Sequence, residues 1–352
     1  MSLVIYGAYG YTGKLIVAEA VRQGMKPMLA GRNADKLRAL AEQFDLPWQA
    51  CDIDDTDGLQ KLLLPADAVL HCAGPFHRTV DAMLGACLAT KTHYLDITGE
   101  IAVFERLAAA NGEAQRAGIT LLPGVGFDVV PTDCLAAHLK EKLPDASDLK
   151  LAFMGGGGMS RGTLLTMIDG LGEPGAMREN GRIVPVPPAF DVIDVDFGSE
   201  SGRPSWSCMS IPWGDVSTAF HSTGIPNILT YTAVPPSSIR KLKRSRWFGW
   251  LLRREFIRNL ARKRIKAGKS GPSDDTRAGS QTFVWGEARN AGGQVASARL
   301  VGDNGYSLTA TAAVESARRM LTGTVSAGFQ TPSRAFGADY ILELGAKRED
   351  LD

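Results

Sequence analysis

The 352-residue sequence lacks several features that would assign its class at once. Its five cysteines (Cys51, Cys72, Cys87, Cys134, Cys208) are odd in number and scattered, with no CxxC pair. That pattern argues against a disulfide framework or a zinc site and for reduced thiols in a cytoplasm, so no metal is expected. No apolar run approaches the ~20 residues that a bilayer-crossing helix requires. No repeat of fixed period is present, and a strand-like pattern starts almost at Met1, where a signal peptide would need a longer apolar core. Net charge is nearly absent too. The 39 Lys and Arg against 38 Asp and Glu leave a formal +1, and a balance this close to zero argues neither for nor against a polyanionic partner. What is there, 44% hydrophobic and 22% charged with 39 glycines, is the composition of a globular protein long enough for two linked domains.

The glycines open the chain. Leu3, Val4, Ile5 and Tyr6 form a short apolar run, followed by Gly7-Ala-Tyr-Gly10-Tyr-Thr-Gly13. A helical pattern then runs through Leu15, Ile16, Ala18, Ala20 and Val21 to Gly24. Strand, glycine-rich turn and helix is the context in which such a spacing binds a dinucleotide. Gly7 permits a tight turn, Gly10 lets backbone amides approach a pyrophosphate, and Gly13 allows close helix–strand packing. The helix N-terminus adds partial positive charge.

One further absence selects the cofactor. An NAD enzyme places Asp or Glu at the end of the second strand to accept from the ribose 2′-hydroxyl. Here that strand, Pro27-Met-Leu-Ala30, runs into Gly31-Arg32-Asn33. With no carboxylate to repel a 2′-phosphate and a guanidinium to bind it, NADP(H) is expected, with Asn33 and Lys36 assisting.

Strand and helix alternate six times to residue 133, which predicts a parallel, doubly wound sheet with right-handed crossovers. Asp52, at the third strand's tip, suits the adenine edge or, equally, caps the next helix with Asp54. The fourth strand, Ala68–Ala73, runs into Gly74-Pro75-Phe76 across the switch point, where small residues admit the nicotinamide end. His71 is read as a core residue and His77 as lining a pocket. Tyr94, Asp96, Glu100 and Asp128 fall near later carboxyl ends, where ligands sit in this architecture. The expected cofactor-binding set is Gly7, Tyr9, Gly10, Tyr11, Thr12, Gly13, Arg32, Asn33, Asp52, Cys72, Ala73, Gly74, Pro75, Phe76, Gly126 and Phe127.

The chain resembles the saccharopine dehydrogenase-like reductases, a family that includes trans-acting enoyl reductases of lipid biosynthesis. The resemblance rests on the N-terminal glycine motif, Ala30-Gly-Arg32, Cys72-Ala-Gly-Pro-Phe76, Tyr94-Leu-Asp-Ile-Thr-Gly-Glu100 and Gly124-Val-Gly-Phe-Asp-Val-Val-Pro131. Gly155–Thr163, Ile211–Asp215 and Gln330–Ser333 extend it over nearly the whole chain. It implies a Rossmann domain, NADP(H), and a second α+β domain inserted before a final helix; it implies little about the substrate.

Beyond Pro144 the alternation breaks. The expected division is 1–145 for the NADP(H)-binding domain, 146–328 for an α+β substrate and dimerisation domain with a mixed, largely antiparallel sheet, and 329–352 for a C-terminal helix packing on the first domain. Strands are read at Val192–Phe197, Trp206–Ile211, Ile228–Ala233, Gln281–Glu287, Val295–Val301 and Tyr306–Thr309, with Gly302–Gly305 as a turn. Thr132 or Asp133 is the expected cap of the helix that follows the first domain, and residues 101–116 one continuous helix. The four glycines 155–158 either hold an anion with Arg161 or let backbone cross closely over the sheet.

Charge is distributed unevenly. Residues 240–269 hold thirteen Lys or Arg and one acid, Glu255, which leaves 26 basic and 37 acidic residues elsewhere. A helix from Arg246 to Lys266, preceded by Trp247, Phe248 and Trp250, could lie at an anionic membrane surface or form a solvated lid. No nucleic-acid module accompanies the charge.

The resulting expectation is a cytoplasmic, dimeric NADP(H)-dependent oxidoreductase acting on a small, apolar or lipid-like molecule, with peripheral membrane contact through residues 246–266. Asp128 is the first choice for proton delivery, with Tyr94, Asp96 and Glu100 as further catalytic candidates; Asp96 and Glu100 could instead satisfy turn amides. Amino-acid imine reduction and NADP(H) binding without turnover are the alternatives.

Overall fold

The computed structural model describes residues 2–170, 172–245, 253–266 and 271–351. Its first elements follow the sequence pattern closely. β1 (Leu3–Tyr6) is buried at every position, as a strand covered on both faces must be. Then come α1 (Tyr11–Arg22), β2 (Met28–Gly31), α2 (Ala34–Phe44), β3 (Trp48–Ala50), α3 (Thr56–Leu63), β4 (Ala68–His71), α4 (Val80–Thr90) and β5 (His93–Asp96). The helix expected over 101–116 is broken at Ala110 into α5 (Ile101–Ala109) and α6 (Asn111–Ala117), and β6 (Thr120–Leu122) follows. These strands lie side by side in the order 6-5-4-1-2-3, and every pairing is parallel. The order reverses between β1 and β4, which is where a crevice opens at the strands' carboxyl ends.

α7 (Val130–Lys142) leads into a different architecture. Its first turn begins at Val130, so Thr132 and Asp133 lie inside the helix rather than capping it, and Asp133 accepts from the Ser222 hydroxyl. The rest comprises β7 (Asp148–Gly155), α8 (Arg161–Asp169), β8 (Gly175–Glu179), β9 (Arg182–Val186), β10 (Val192–Val195), β11 (Trp206–Ser210), α9 (Asp215–Thr223), β12 (Asn227–Ala233), α10 (Pro236–Ser245), α11 (Glu255–Lys266), α12 (Asp274–Ala278), β13 (Gln281–Arg289) and β14 (Val295–Asp303). These eight strands, with a ninth from the C-terminus, form a mixed sheet whose main path runs 10-11-12-7-13-14, antiparallel except between β12 and β7. Its core gathers Ala152, Val195, Phe197, Cys208, Tyr231 and Phe283.

The C-terminal stretch from Gly305 departs from expectation. Tyr306–Thr309 is not a strand. It opens α13 (Gly305–Leu321), because the apparent alternation continues as Leu308, Ala312, Ser316 and Met320, one buried stripe at helical spacing. β15 (Gly328–Phe329) then joins β6 in the first sheet. The expected C-terminal helix is two short ones, α14 (Pro332–Phe336) and α15 (Tyr340–Glu343), separated at Gly337, whose φ of +92° a right-handed helix does not allow. Last comes a strand, β16 (Lys347–Leu351), added antiparallel to β14.

Two compact units result: Met1–Val130 with Tyr306–Ala335, and Pro131–Gly305 with Phe336–Asp352. The boundary near 145 therefore moves to 130. Residues 306–335 return to the first unit, and the C-terminus, expected on that unit, completes the second sheet instead.

Candidate functional site

The first unit's glycine turn is built to leave an opening. Gly7 adopts φ +84°, and a Cβ there would stand 2.8 Å from the Ala73 amide nitrogen, so the β1 and β4 exits run against each other. Gly13 is equally confined: a Cβ would come within 2.8 Å of the Ala8 carbonyl oxygen. Gly10 is different. An added Cβ there would meet the Gly7 carbonyl oxygen at 3.2 Å and nothing else within 4 Å, so its outer side is open. Gly10 is also the N-cap of α1 and offers no side chain to the first-turn amides, and that turn carries no acid. An uncapped helix start without carboxylates is an anion site.

The β2 end supplies the cations. Arg32 is exposed, and the Asn33 side chain caps α2 by accepting from the Lys36 amide at 2.9 Å. Tyr9 lies across this edge. A Cβ on Gly31 would stand 2.9 Å from the Tyr9 ring, and the Lys36 ammonium is 5.7 Å from the ring centroid. Arg32, Lys36 and the α2 start thus collect positive charge around an aromatic face, a donor set that fits a phosphorylated ribose. Asp52 is exposed at the β3 end, where it accepts from the Asp54 amide at 3.2 Å. The α3 cap is Asp55 rather than Asp52 or Asp54. Tyr11 makes an edge-to-face contact with Tyr306 at 5.1 Å, which fixes the front of α1.

Across the switch point, Cys72, Ala73, Pro75 and Phe76 are partly buried and Gly74 is exposed. Burial, then the charge of Asp96, raises the Cys72 thiol pKa, so it stays protonated. His71 is fully buried beneath them. Its Nε2 lies 2.8 Å from the Thr79 hydroxyl, and burial lowers its pKa to about 3. Because the Thr79 hydroxyl donates to the Ala73 carbonyl at 3.1 Å, it accepts from His71, which places the proton on Nε2 of a neutral ring. The core reading of His71 is therefore the right one. His77 is exposed and directs Nδ1 to Glu100 Oε2 at 2.6 Å.

The carboxylates divide by what they hold. Asp96 is fully buried; Oδ1 accepts from the Thr98 and Gly124 amides, each at 2.9 Å, and Oδ2 from the Tyr94 hydroxyl at 2.6 Å. Burial raises its pKa to about 6 against the pull of these bonds. Tyr94 is enclosed as well, and burial followed by the Asp96 charge pushes its phenol well up. Glu100 accepts from the Phe76 amide at 2.8 Å and the His77 amide at 3.0 Å, which ties the β4 exit to the β5 exit. Asp128 sits on the turn before α7. Its carboxylate lies over Gly99, where a Cβ would be 3.2 Å from Oδ2, and burial raises its pKa to about 7. The turn carrying it is pinned by Thr309, which accepts from the Phe127 amide at 3.0 Å and whose Cγ2 would stand 2.9 Å from any Cβ on Gly126. Thr79, Tyr306 and Thr309 had no sequence signal: Tyr306 and Thr309 lie in a helix whose start alternates like a strand, and Thr79 meets His71 only because the loop between them folds back.

In the second unit, the glycine run crosses backbone closely. Gly157 has φ +90°, and a Cβ would stand 2.9 Å from both Asn304 Nδ2 and Ser280 Oγ; Asn304 donates to the Gly156 carbonyl at 3.0 Å. A Cβ on Gly156 would stand 2.9 Å from the Gln281 carbonyl oxygen, which supports the close-crossing reading of that run.

A family model described as the saccharopine dehydrogenase NADP-binding domain matches residues 3–122, the stretch that carries the glycine turn, Arg32 and the Asp96 network. Residues 3–122 thus form an NADP-binding domain of the saccharopine dehydrogenase type. Its cofactor is NADP(H), in keeping with the cation-lined β2 edge. The saccharopine dehydrogenase-like oxidoreductase of Homo sapiens is 26% identical over 203 residues, 50% of this chain and 47% of that one. A Mycobacterium tuberculosis protein named as a trans-acting enoyl reductase is 30% identical over 198 residues, 50% of this chain and 46% of its own. The chain thus spans less than half the length of these relatives. Apo saccharopine dehydrogenase (L-Glu forming) of Saccharomyces cerevisiae superposes over 100% of both chains with a TM-score of 0.68 at 13% identity, a likeness of fold alone. The saccharopine dehydrogenase-like domain here is extended by a mixed sheet that the same superposition covers.

Proposed function

We propose that the protein is an NADP(H)-dependent oxidoreductase that reduces a C=C, C=N or C=O bond of an apolar or lipid-like metabolite. The observation that carries this reading is the contrast among its carboxylates. Asp96 and Glu100 spend their oxygens on loop amides, while Asp128 lies over Gly99 and burial raises its pKa to about 7. A carboxyl that exchanges its proton near pH 7 is suited to general acid catalysis. NADPH supplies the hydride when bound. The α1 amides and Gly10 would hold its pyrophosphate, and Arg32 with Lys36 its 2′-phosphate. Asp96, through Thr98 and Gly124, and Glu100, through Phe76 and His77, set the shape of the loops. Asp128 would protonate the atom left electron-rich. Tyr94, its hydroxyl committed to Asp96, acts as a positioning residue.

The decisive experiment is NADPH oxidation against a panel of an enoyl thioester, a long-chain aldehyde and an α-keto acid with an amine. Turnover of the enoyl or aldehyde arm supports the lipid-like reading; turnover of the imine arm alone replaces it with amino-acid imine reduction. Tight NADPH binding with no turnover of any arm would leave a nucleotide-binding protein.

A further inference from the structure

The basic segment of the second unit has no place in the redox reading, and its geometry is directional. α11 is twelve residues long, and residues four apart share a stripe along it. Arg258 and Arg262 occupy one stripe and are held from behind by acids: Arg258 pairs with Glu173 and Arg262 with Asp169, both at 2.6 Å. Ile257, Ala261 and Ile265 are partly buried alongside. Phe256 and Leu260 lie about 200° around the helix from that docked stripe. They are 68% and 67% exposed, among the most exposed large apolar side chains described. Their stripe continues into Lys263 and Arg264, both exposed. α10, before it in the chain, adds Arg240, Lys241, Lys243 and Arg244, all exposed. Trp247, Phe248 and Trp250, the aromatic part of the expected membrane segment, lie outside the described residues.

We propose that α11 seats this unit on the surface of an anionic bilayer, with Phe256 and Leu260 entering the headgroup–acyl boundary and the flanking Lys and Arg meeting the lipid phosphates. A strongly cationic helix with a short apolar ridge has the composition of an interfacial helix. The thirteen-to-one charge excess over residues 240–269, in a chain otherwise net negative, specifies an anionic partner. The exposed leucine and phenylalanine on the cationic side specify lipid over nucleic acid, which offers phosphate but no apolar phase for leucine. The contact is peripheral: among the described residues, no helix is long and apolar enough to cross a membrane. This proposal is independent of the redox reading.

Flotation of the full chain with phosphatidylcholine vesicles, with and without phosphatidylserine, tests it. Binding is expected only with phosphatidylserine and should weaken as salt rises. The double change F256S/L260S should lower the partition coefficient at least tenfold, since both side chains lose apolar burial. Lys263→Gln and Arg264→Gln should each lower it about fivefold, which corresponds to ~1 kcal/mol per charge. Thermal melting of each variant should match the parent, because all four side chains are exposed. The proposal is overturned if vesicles with and without phosphatidylserine bind alike, if neither binds, or if the stably folded F256S/L260S variant floats as well as the parent. Retention of an RNA oligonucleotide in place of vesicles, unaffected by F256S/L260S, would overturn it in favour of nucleic acid.

Discussion

The two sheets of this protein use glycine and charge to opposite ends. In the first unit, Gly10 faces an opening at an uncapped helix start, and Arg32 and Lys36 stand at its edge. In the second, Gly157 is filled in by Asn304 and Ser280, Ser160 caps α8 by accepting from the Thr163 amide, and Arg258 and Arg262 are spent on acids. A glycine turn, the helix start after it and the arginines nearby are thus committed at these points of the second unit and available in the first. Glycine-rich turns signal a ligand only where the helix after them is left uncapped.

Replacing glycine in each unit should give the largest effect and the first test of this contrast. Gly7→Val combines a left-handed backbone, costing a β-branched residue roughly 1–2 kcal/mol, with a clash against backbone of a further ~1–3 kcal/mol. Denaturant melting should show that loss, and NADPH titration should show no binding. Gly157→Val is expected to destabilise as well, less so because side-chain ends can move aside, while the folded fraction keeps its NADPH affinity. Loss of NADPH binding in the folded Gly157 variant would break the comparison.

The next effect is catalytic. Asp128→Asn should reduce NADPH-dependent turnover by ~10²-fold or more while leaving the NADPH dissociation constant unchanged. With a protonated carboxyl as donor, the parent's rate should be level below about pH 7 and fall above it. Asp96→Asn, by contrast, should lower stability by putting an NH2 group where an oxygen accepts from the Tyr94 hydroxyl, and leave the position of that pH limb unmoved. Linkage gives a second readout. The folded pKa of Asp128 is raised, so its stabilising contribution is complete below the ordinary carboxylate pKa and is lost as pH rises through about 7. Asp128→Asn removes that loss and should melt above the parent at pH 8, relative to their order at pH 4. A variant that is inactive yet melts with the parent's pH dependence would show that Asp128 is not the titrating group.

Smaller still is the expected effect at the β2 edge. Arg32→Ala removes charge-assisted bonds worth roughly 1.5–3 kcal/mol, so NADPH affinity should fall by about one to two orders of magnitude while NADH affinity holds. Equal losses for both nucleotides would make Arg32 a general contributor rather than the reader of the 2′-phosphate.

How much of this was legible in the sequence follows from how local each signal is. β1, α1 and β2 could be read because the glycine spacing, the apolar runs and the helical stripe all lie within 31 residues and agree. β10 to β14 could be placed to within a residue or two, since alternation is a local signal as well. Asp96 and Glu100 could not be told from catalytic groups. The amides they accept from, Gly124 and Phe76, lie 28 and 24 positions away. Tyr306–Thr309 was misread because four residues of alternation outweighed the longer stripe of Leu308, Ala312, Ser316 and Met320. β16 could not be foreseen from Lys-Arg-Glu-Asp-Leu: a charged segment makes a strand only when an edge such as β14 is waiting for it.

One missed element was legible after all, and it supplies the smallest effect. Asn180-Gly181 joins β8 to β9 with φ of +50° and +78°, both central residues left-handed as a two-residue hairpin turn requires. Asn tolerates that conformation better than other residues with a side chain, and its amide also donates to Asn227 Oδ1 at 2.9 Å, tying the turn to the start of β12. Asn180→Ala keeps the amide but forfeits the tolerance, so stability should fall by about 1 kcal/mol. Asn180→Gly should be close to neutral, since Gly adopts the conformation freely and also keeps the amide. Neither variant should alter NADPH affinity or the pH limb assigned to Asp128. If Asn180→Ala changed cofactor affinity as much as Arg32→Ala does, the second unit would be shaping the nucleotide site, and the contrast between a committed and an available unit would fail at its least expected point.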